Sequence, residues 1–275
     1  MTSLWLVTNS RSGTTDAKRI ASIKQVIADA GLTVMHVIDL AERGLPERNE
    51  IARSAPDIIA SLGGDGTARA VVNHYGEPSG PALLILPGGT MNLLAKRLHG
   101  DREASEIIEK AARAQTTVAL PMIEGPDFRS LVGVIAGPAA HWGTVREDIR
   151  EGDLPALLDS IPTALEQTWE GDRIRIEGQE SGHGALFIDP RPDALHIHAI
   201  HTDGIGDLAS HGWAWLNQDF LGGPTEELAR EDQVMLMQES GTITLLVDGE
   251  RCTCPSPLTV RRRQCPAPFL ATLKS

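Results

Sequence analysis

Three short stretches combine glycine with small hydroxyl residues, one of them adding a carboxylate, in a pattern suited to binding phosphate. The first is Gly63-Gly64-Asp65-Gly66-Thr67, entered from the apolar run Ile58–Leu62. Glycines let a backbone approach an anion closely, and the N–H groups at the start of a helix point toward it. Thr67 is placed to cap that helix, and Asp65 to meet a phosphate-bound Mg²⁺. Taken alone, the stretch reads equally well as a tight strand-to-helix turn with a satisfied Asp. The second stretch, Pro87-Gly88-Gly89-Thr90-Met91-Asn92, repeats the device after the apolar run Leu84–Leu86. The third, Asn9-Ser10-Arg11-Ser12-Gly13-Thr14, follows Leu4–Thr8 and adds a cation. Three such turns at one sheet edge favour a polyphosphate site. Neither G-x-x-x-x-G-K-[ST] nor G-x-G-x-x-G occurs.

The elements that must position these turns alternate between strand and helix. Strands are expected at Leu4–Thr8, Val34–Ile38, Asp57–Leu62 and Ala82–Leu86. Helices are expected over Thr14–Ala30, from about Thr67 to His74, from about Thr90 to Leu98, and over Asp101–Ala114 with Asp101 as cap. That order predicts a parallel sheet covered on both faces. After Leu120-Pro121 the texture changes. Leu131–Ile135 reads as a strand and Leu154–Trp169 carries a helical pattern. Short strands then dominate: Arg173–Glu177, Ala185–Ile188, Ala194–Ile200 and Thr242–Val247. The expectation is an α/β domain over 1–121 and a β-rich domain over 122–275, the last residues free to pack back on the first.

Composition narrows the function classes. The 275 residues, 41% hydrophobic and 23% charged, are ordinary globular material. One Tyr and four Phe leave no aromatic platform for nucleic-acid bases. No apolar run reaches the ~20 residues of a membrane-spanning helix, and residues 1–7 lack a basic leader, so a cytoplasmic location is expected. Residues 1–121 carry 13 basic and 13 acidic residues, so the net charge of −12 lies entirely in the second half. An acidic half repels nucleic acid and anionic headgroups but leaves a neutral lipid acceptable.

The two glycine turns, with Asn92-Leu93-Leu94-Ala95-Lys96 completing the second, resemble the catalytic domain of the diacylglycerol kinase family, which includes sphingosine kinases and small bacterial lipid kinases. Asn9–Gly13 resembles its opening Asn-Pro-x-Ser-Gly motif, with Ser10 in place of Pro. The resemblance implies an α/β nucleotide-binding domain, like that of NAD kinases, followed by a β-sandwich-like domain, with the lipid entering between them. It implies ATP and Mg²⁺ as cofactors and a lipid alcohol, diacylglycerol by default, as acceptor. Asn9, Ser12, Gly63, Gly64, Gly66, Thr67, Gly89 and Thr90 would surround the phosphates, with Asn92 holding the second turn. Asp65 would act on the metal through ATP and its waters. Lys96 would face the phosphates or simply the solvent. Leu245-Leu246-Val247-Asp248-Gly249-Glu250 matches the family's Asp-Gly-Glu element, with Asp248 as catalytic carboxylate assisted by Glu250. Without the family, Asp248-Gly249 is a hairpin turn. Transient contact at the inner membrane face follows, and a homodimer is left open.

The departures are equally specific. The Asp-Asp-Gly-x-Leu-Asp stretch that holds a structural Mg²⁺ in some bacterial members is reduced to Pro190-Arg191-Pro192-Asp193-Ala194-Leu195-His196, so that metal is not expected. Asn92-Leu93 replaces an Asn-Asp pair. An NAD kinase-like enzyme would need an Asn-Glu pair downstream, whereas Asn49-Glu50 precedes the glycine turn; phosphofructokinase lacks support beyond the same turn. A nucleotide-binding regulator without catalysis is the reading from another class. His196, His198 and His201 read as strand residues rather than a metal site. Cys252, Cys254 and Cys265 read as ordinary packing, and Arg261-Arg262-Arg263 as a solvated run.

Overall fold

The computed structural model describes residues 2–10, 16–89, 91–114, 116–138, 172–200, 225–248 and 250–273. Ser12, Thr90, His201 and the 154–169 helical pattern lie outside them. The chain divides into one unit of Met1–Leu120 with Gln264–Ser275, and a second of Pro121–Arg263.

The first unit contains β1 (Ser3–Thr8), α1 (Ala17–Asp29), β2 (Thr33–Asp39), α2 (Leu40–Arg43), α3 (Arg48–Ser54), β3 (Ile58–Gly63), α4 (Asp65–Tyr75), β4 (Ala82–Pro87), α5 (Leu93–His99), α6 (Ala104–Ala114) and β5 (Thr117–Val118). Its sheet runs β2-β1-β3-β4, all parallel. Phe269–Leu270, near the end of the chain, adds a strand parallel to β4 and antiparallel to β5. Alternation sorts each strand's side chains between the faces. Leu4, Leu6, Ile58, Ala60, Leu62, Leu84 and Leu86 pack with Ile23 and Ile27 of α1 and with Ile107, Ile108 and Ala111 of α6. Trp5 and Ile59 are also buried, so both faces of the sheet are covered.

Three local expectations shift. Helix α4 begins at Asp65 with Gly64 as its N-cap, not at Thr67. Helix α5 begins at Leu93 because Asn92 takes a left-handed φ of 55°. Helix α6 begins at Ala104, since Asp101 pairs instead with Lys96 at 3.1 Å. Two short helices, α2 and α3, carry too few residues for a periodic signal.

The second unit is β-rich: β6 (Pro121–Glu124), β7 (Arg129–Ser130), β8 (Val134–Ala136), β9 (Arg175–Ile176), β10 (Ala185–Pro190), β11 (Leu195–Ile200), β12 (Thr225–Glu231), β13 (Gln233–Met237), β14 (Thr242–Val247), β15 (Glu250–Pro255) and β16 (Leu258–Gln264). Phe269–Leu270 of the first unit is β17. The order β12-β11-β10-β8-β14-β15 makes one sheet and β7-β6-β16-β13-β9 the other. Inward residues from both, among them Leu186, Ile188, Ile197, Leu245 and Val247 facing Ile123, Val234, Leu236 and Val260, share one core. The unit is a β-sandwich. The inward residues of β14, Ile243, Leu245 and Val247, recur at period two, which aims the hairpin beyond Val247 out of the core.

Candidate active site

The parallel register sets Thr8 opposite both Asp39 and Leu62, and Gly63 opposite Pro87. Asn9 and the turns after β3 and β4 therefore emerge side by side at the carboxyl edge, where open α/β sheets bind ligands.

At that edge two backbones meet without side chains between them. The Gly88 N–H donates to the Gly63 carbonyl at 2.9 Å. A Cβ on Gly88 would lie 2.6 Å from the Gly63 nitrogen, and one on Gly89 would lie 2.4 Å from Gly64 Cα. Only glycine fits at 88 and 89 without moving backbone. Asn92 clamps the second turn: its Oδ1 accepts from Gly88 N (3.1 Å) and Gly89 N (2.8 Å), while its Nδ2 donates to the Gly89 carbonyl at 2.8 Å. Thr67 is buried in α4 with its hydroxyl accepting from Asn9 Nδ2 at 3.3 Å, which ties the Asn9 segment to the first glycine turn. Asp65 accepts from Leu94 N at 3.2 Å, tying α4 to α5.

Helix α4, like α3 and α5, starts without a side-chain cap, whereas Asp16 caps α1 and Asp39 caps α2 with side-chain hydrogen bonds. Its leading N–H groups and positive dipole end thus face the glycine turns, an arrangement that accepts an external anion. Arg19, not singled out by its sequence context, reaches this edge from α1 and donates to the Pro87 carbonyl at 2.8 Å. Its signal was weak because a lone Arg on a helix normally reads as a solvated residue. A cavity of about 410 Å³ lies near Asp57 and Pro81, which precede β3 and β4. There Arg48 bonds Glu77 and the His74 carbonyl, Tyr75 bonds the Pro46 carbonyl, and Asp57 bonds Ser3.

In the second unit Asp248 occupies the β14–β15 turn with a left-handed φ of 48°, which Asp tolerates better than most residues. The hairpin and the special carboxylate are therefore one feature. Its Oδ1 accepts from Ser130 Oγ (2.5 Å), Val132 N (3.0 Å) and Gly133 N (3.4 Å), and its Oδ2 from Leu131 N (3.2 Å). Burial pushes this carboxyl above the ordinary range, and those four donors pull against the rise. The sequence sign for Ser130 is local: a Ser three residues before a Gly, ahead of an apolar strand, fits a side-chain-stabilised turn. Glu250 is exposed on β15.

Other candidates fall into structural roles. Lys96 belongs with Asp101 on the helix surface. His196 lies between Glu227 (3.2 Å) and Asp193 (3.1 Å), with the His198 ring 6.5 Å away. Among the described residues no group of three His, Cys, Asp or Glu is placed to hold a metal ion. Asp189, next to the altered hairpin, is neutralised by Arg191 at 2.5 Å. Arg261, Arg262 and Arg263 are committed to Gln233, Asp232 and Glu124. Cys252 and Cys254 share a face of β15, and no disulfide joins Cys252, Cys254 or Cys265. No described helix is long and apolar enough to cross a membrane.

The chain thus combines an α/β unit, with paired glycine turns at its carboxyl edge, and a β-sandwich. Residues 3–122 match the model of the diacylglycerol kinase catalytic domain. No curated protein matches the chain. Among solved structures, a putative diacylglycerol kinase from Bacillus anthracis str. Sterne is similar at 18% identity and a TM-score of 0.61, covering 98% of this chain and 96% of that one. A second diacylglycerol kinase structure from the same organism has 15% identity and a TM-score of 0.59, covering 98% and 96%. An NAD kinase from Archaeoglobus fulgidus, solved in complex with ATP, has 13% identity and a TM-score of 0.50, covering 97% and 93%. At these identities the likeness is one of fold.

Proposed function

We propose that the chain transfers the γ-phosphate of ATP to the hydroxyl of a neutral lipid, with diacylglycerol as default acceptor. The observation that carries this reading is the uncapped start of α4 at the point where two glycine turns touch backbone to backbone. The match to a diacylglycerol kinase catalytic domain supports it, as does the ATP in the related NAD kinase.

In this reading the first unit binds ATP and the second the acceptor, reached through transient contact with a membrane surface. Asn9, Ser12, Gly63, Gly64, Gly66, Thr67, Gly89 and Thr90 surround the phosphates, Asn92 keeps the second turn in shape, and Arg19 adds positive charge. Asp65 is the carboxylate beside the turns, a donor set that fits Mg²⁺ carried by the nucleotide rather than by a protein cage. Asp65 would hold such an ion through the nucleotide and its waters, and the ion would supply charge neutralisation to the phosphates. The acceptor oxygen attacks the γ-phosphorus, its proton passes to Asp248 Oδ2, and the bond to the β-phosphate oxygen breaks to release ADP. Glu250 assists Asp248 from the far side of the turn.

One observation favours a second reading, a regulator that binds ATP without transferring phosphate: Asp248 already accepts four hydrogen bonds. An NAD kinase-like transfer has less support, since Asn49 and Glu50 stand on α3, before the glycine turn. Incubating the protein with [γ-³²P]ATP and a total lipid extract in mixed micelles separates these readings. A labelled lipid supports the kinase and names its acceptor. ATP binding with no labelled lipid supports the regulator.

A further inference from the structure

The hydrogen bonds around Asp248 single out a residue outside every motif of the family resemblance. Ser130 is completely buried at the end of β7. Its hydroxyl is used twice: it donates to Asp248 Oδ1 at 2.5 Å and accepts from Gly133 N at 2.9 Å. Gly133 closes the circuit, because its carbonyl accepts from Asp248 N at 3.2 Å. The turn over residues 130–133 and the hairpin at Asp248 thus hold each other through one hydroxyl and paired backbone groups. A Cβ on Gly133 would lie 2.5 Å from the Phe187 ring, so the turn is packed as well as hydrogen-bonded.

The two oxygens of Asp248 are treated unequally. Oδ1 accepts three donors, including the shortest bond of the set, whereas Oδ2 accepts one among the described residues. A carboxylate oxygen has room for about two strong hydrogen bonds, so Oδ1 is saturated and Oδ2 retains a lone pair. Charged-acceptor bonds of this kind are the strong ones, and among the described residues the Ser130 hydroxyl is the only side-chain donor to Asp248. We propose that Ser130 is the positioning residue for Asp248, rotating the carboxylate so that Oδ1 is spent on the turn and Oδ2 faces the proton to be taken. The proposal rests on Asp248 being the proton acceptor of the phosphotransfer. Apart from these donors, the nearest ionisable group along the hairpin is Glu250, which is exposed.

The test compares Ser130→Ala, Ser130→Thr and Asp248→Asn, each also in combination, with thermal unfolding followed in parallel. In Ser130→Ala, kcat should fall about 10–100-fold, the weight of one hydrogen bond to a charged group, while KM for ATP stays put. The acidic limb of the pH–rate profile should move to higher pH, because a donor to the charged form is gone. Ser130→Thr keeps the hydroxyl and should restore both. If the added methyl prevents folding, the double variant decides: Ser130→Ala should change nothing further in an Asp248→Asn background. A fall in kcat without movement of the acidic limb, or an equal loss in both backgrounds, overturns the proposal. The pH dependence of the unfolding midpoint provides a readout without turnover, and Ser130→Ala must alter it only when Asp248 is present. Full turnover by Asp248→Asn sinks the base assignment itself, an outcome distinct from loss of the Ser130 coupling.

Discussion

The two units use one physical device to opposite ends. Each gathers backbone N–H groups about a place for negative charge. In the β-sandwich that place is filled by the chain's own Asp248, held by the N–H groups of residues 131–133 and the Ser130 hydroxyl. In the α/β unit the start of α4 has no side-chain cap, although α1 and α2 are both capped by Asp. A filled nest fixes a side chain, and an open one offers a ligand site. Under the proposed function the contrast divides the labour: the first unit would supply shape and backbone donors, the second a single oriented carboxylate.

Removing the charge in the filled nest should have the largest effect. Asp248→Asn is expected to lower kcat by about 10²–10⁴-fold, the usual contribution of a general base, with ATP binding unchanged by calorimetry. Turnover within a few-fold of the parent would break the division of labour. The next effect is on stability and carries opposite signs in the two units. His99 in α5 is completely buried, and burial lowers its pKa to about 4 from 6.5. The unfolded chain therefore binds the proton first. The stabilisation is fully present above pH 6.5 and is lost as pH falls toward 4, on the order of 3 kcal/mol in all. Asp248 runs the other way. Its raised pKa favours the folded state below the ordinary aspartate value of 3.8, and that contribution is lost as pH rises through the folded-state pKa. Unfolding midpoints measured across pH for His99→Gln should show a flatter acidic slope, and those for Asp248→Asn a smaller loss on the rising side.

The same contrast explains what could be read from sequence. Strands β3 and β4 of the first unit are continuous apolar runs that lead into glycine turns, so their positions and those turns were legible. Short-range signals misplaced the helix starts, because Gly64 and Asn92 set them through backbone conformation rather than through a capping side chain. In the second unit β14 was visible from its alternation and the Asp-Gly pair. Its strands β12, β13, β15 and β16 carry many charged or polar residues on their outer faces, which conceals them. Ser130 lies 118 positions from Asp248, and only the pairing of β8 with β14 brings its turn to the hairpin. Such a contact has no local signature.

Filling the open nest's walls should cost less than emptying the filled one. Gly89→Ala would put a methyl 2.4 Å from Gly64 Cα, a clash that only backbone movement relieves. The expected loss is about 1–3 kcal/mol of stability, accompanied by weaker ATP binding as the turns separate. Calorimetric titration with ATP and denaturant unfolding measure the two together. Parent-like values in both would show that the turns need not touch.

Asn92→Ala tests the same wall more gently. The substitution removes an acceptor from Gly88 N and Gly89 N and a donor from the Gly89 carbonyl, yet Gly88 N retains the Gly63 carbonyl. The site is only half-buried, so water can replace part of what is lost, and about 1 kcal/mol of destabilisation is expected. Alanine also fits the left-handed φ of 55° less well than Asn. Asn92→Gly removes that backbone penalty while deleting the same hydrogen bonds. If the clamp matters mainly through its hydrogen bonds, the two variants should bind ATP equally weakly. If it matters mainly through backbone conformation, glycine should recover most of the affinity, and the open nest would depend on chain geometry more than on any side chain around it.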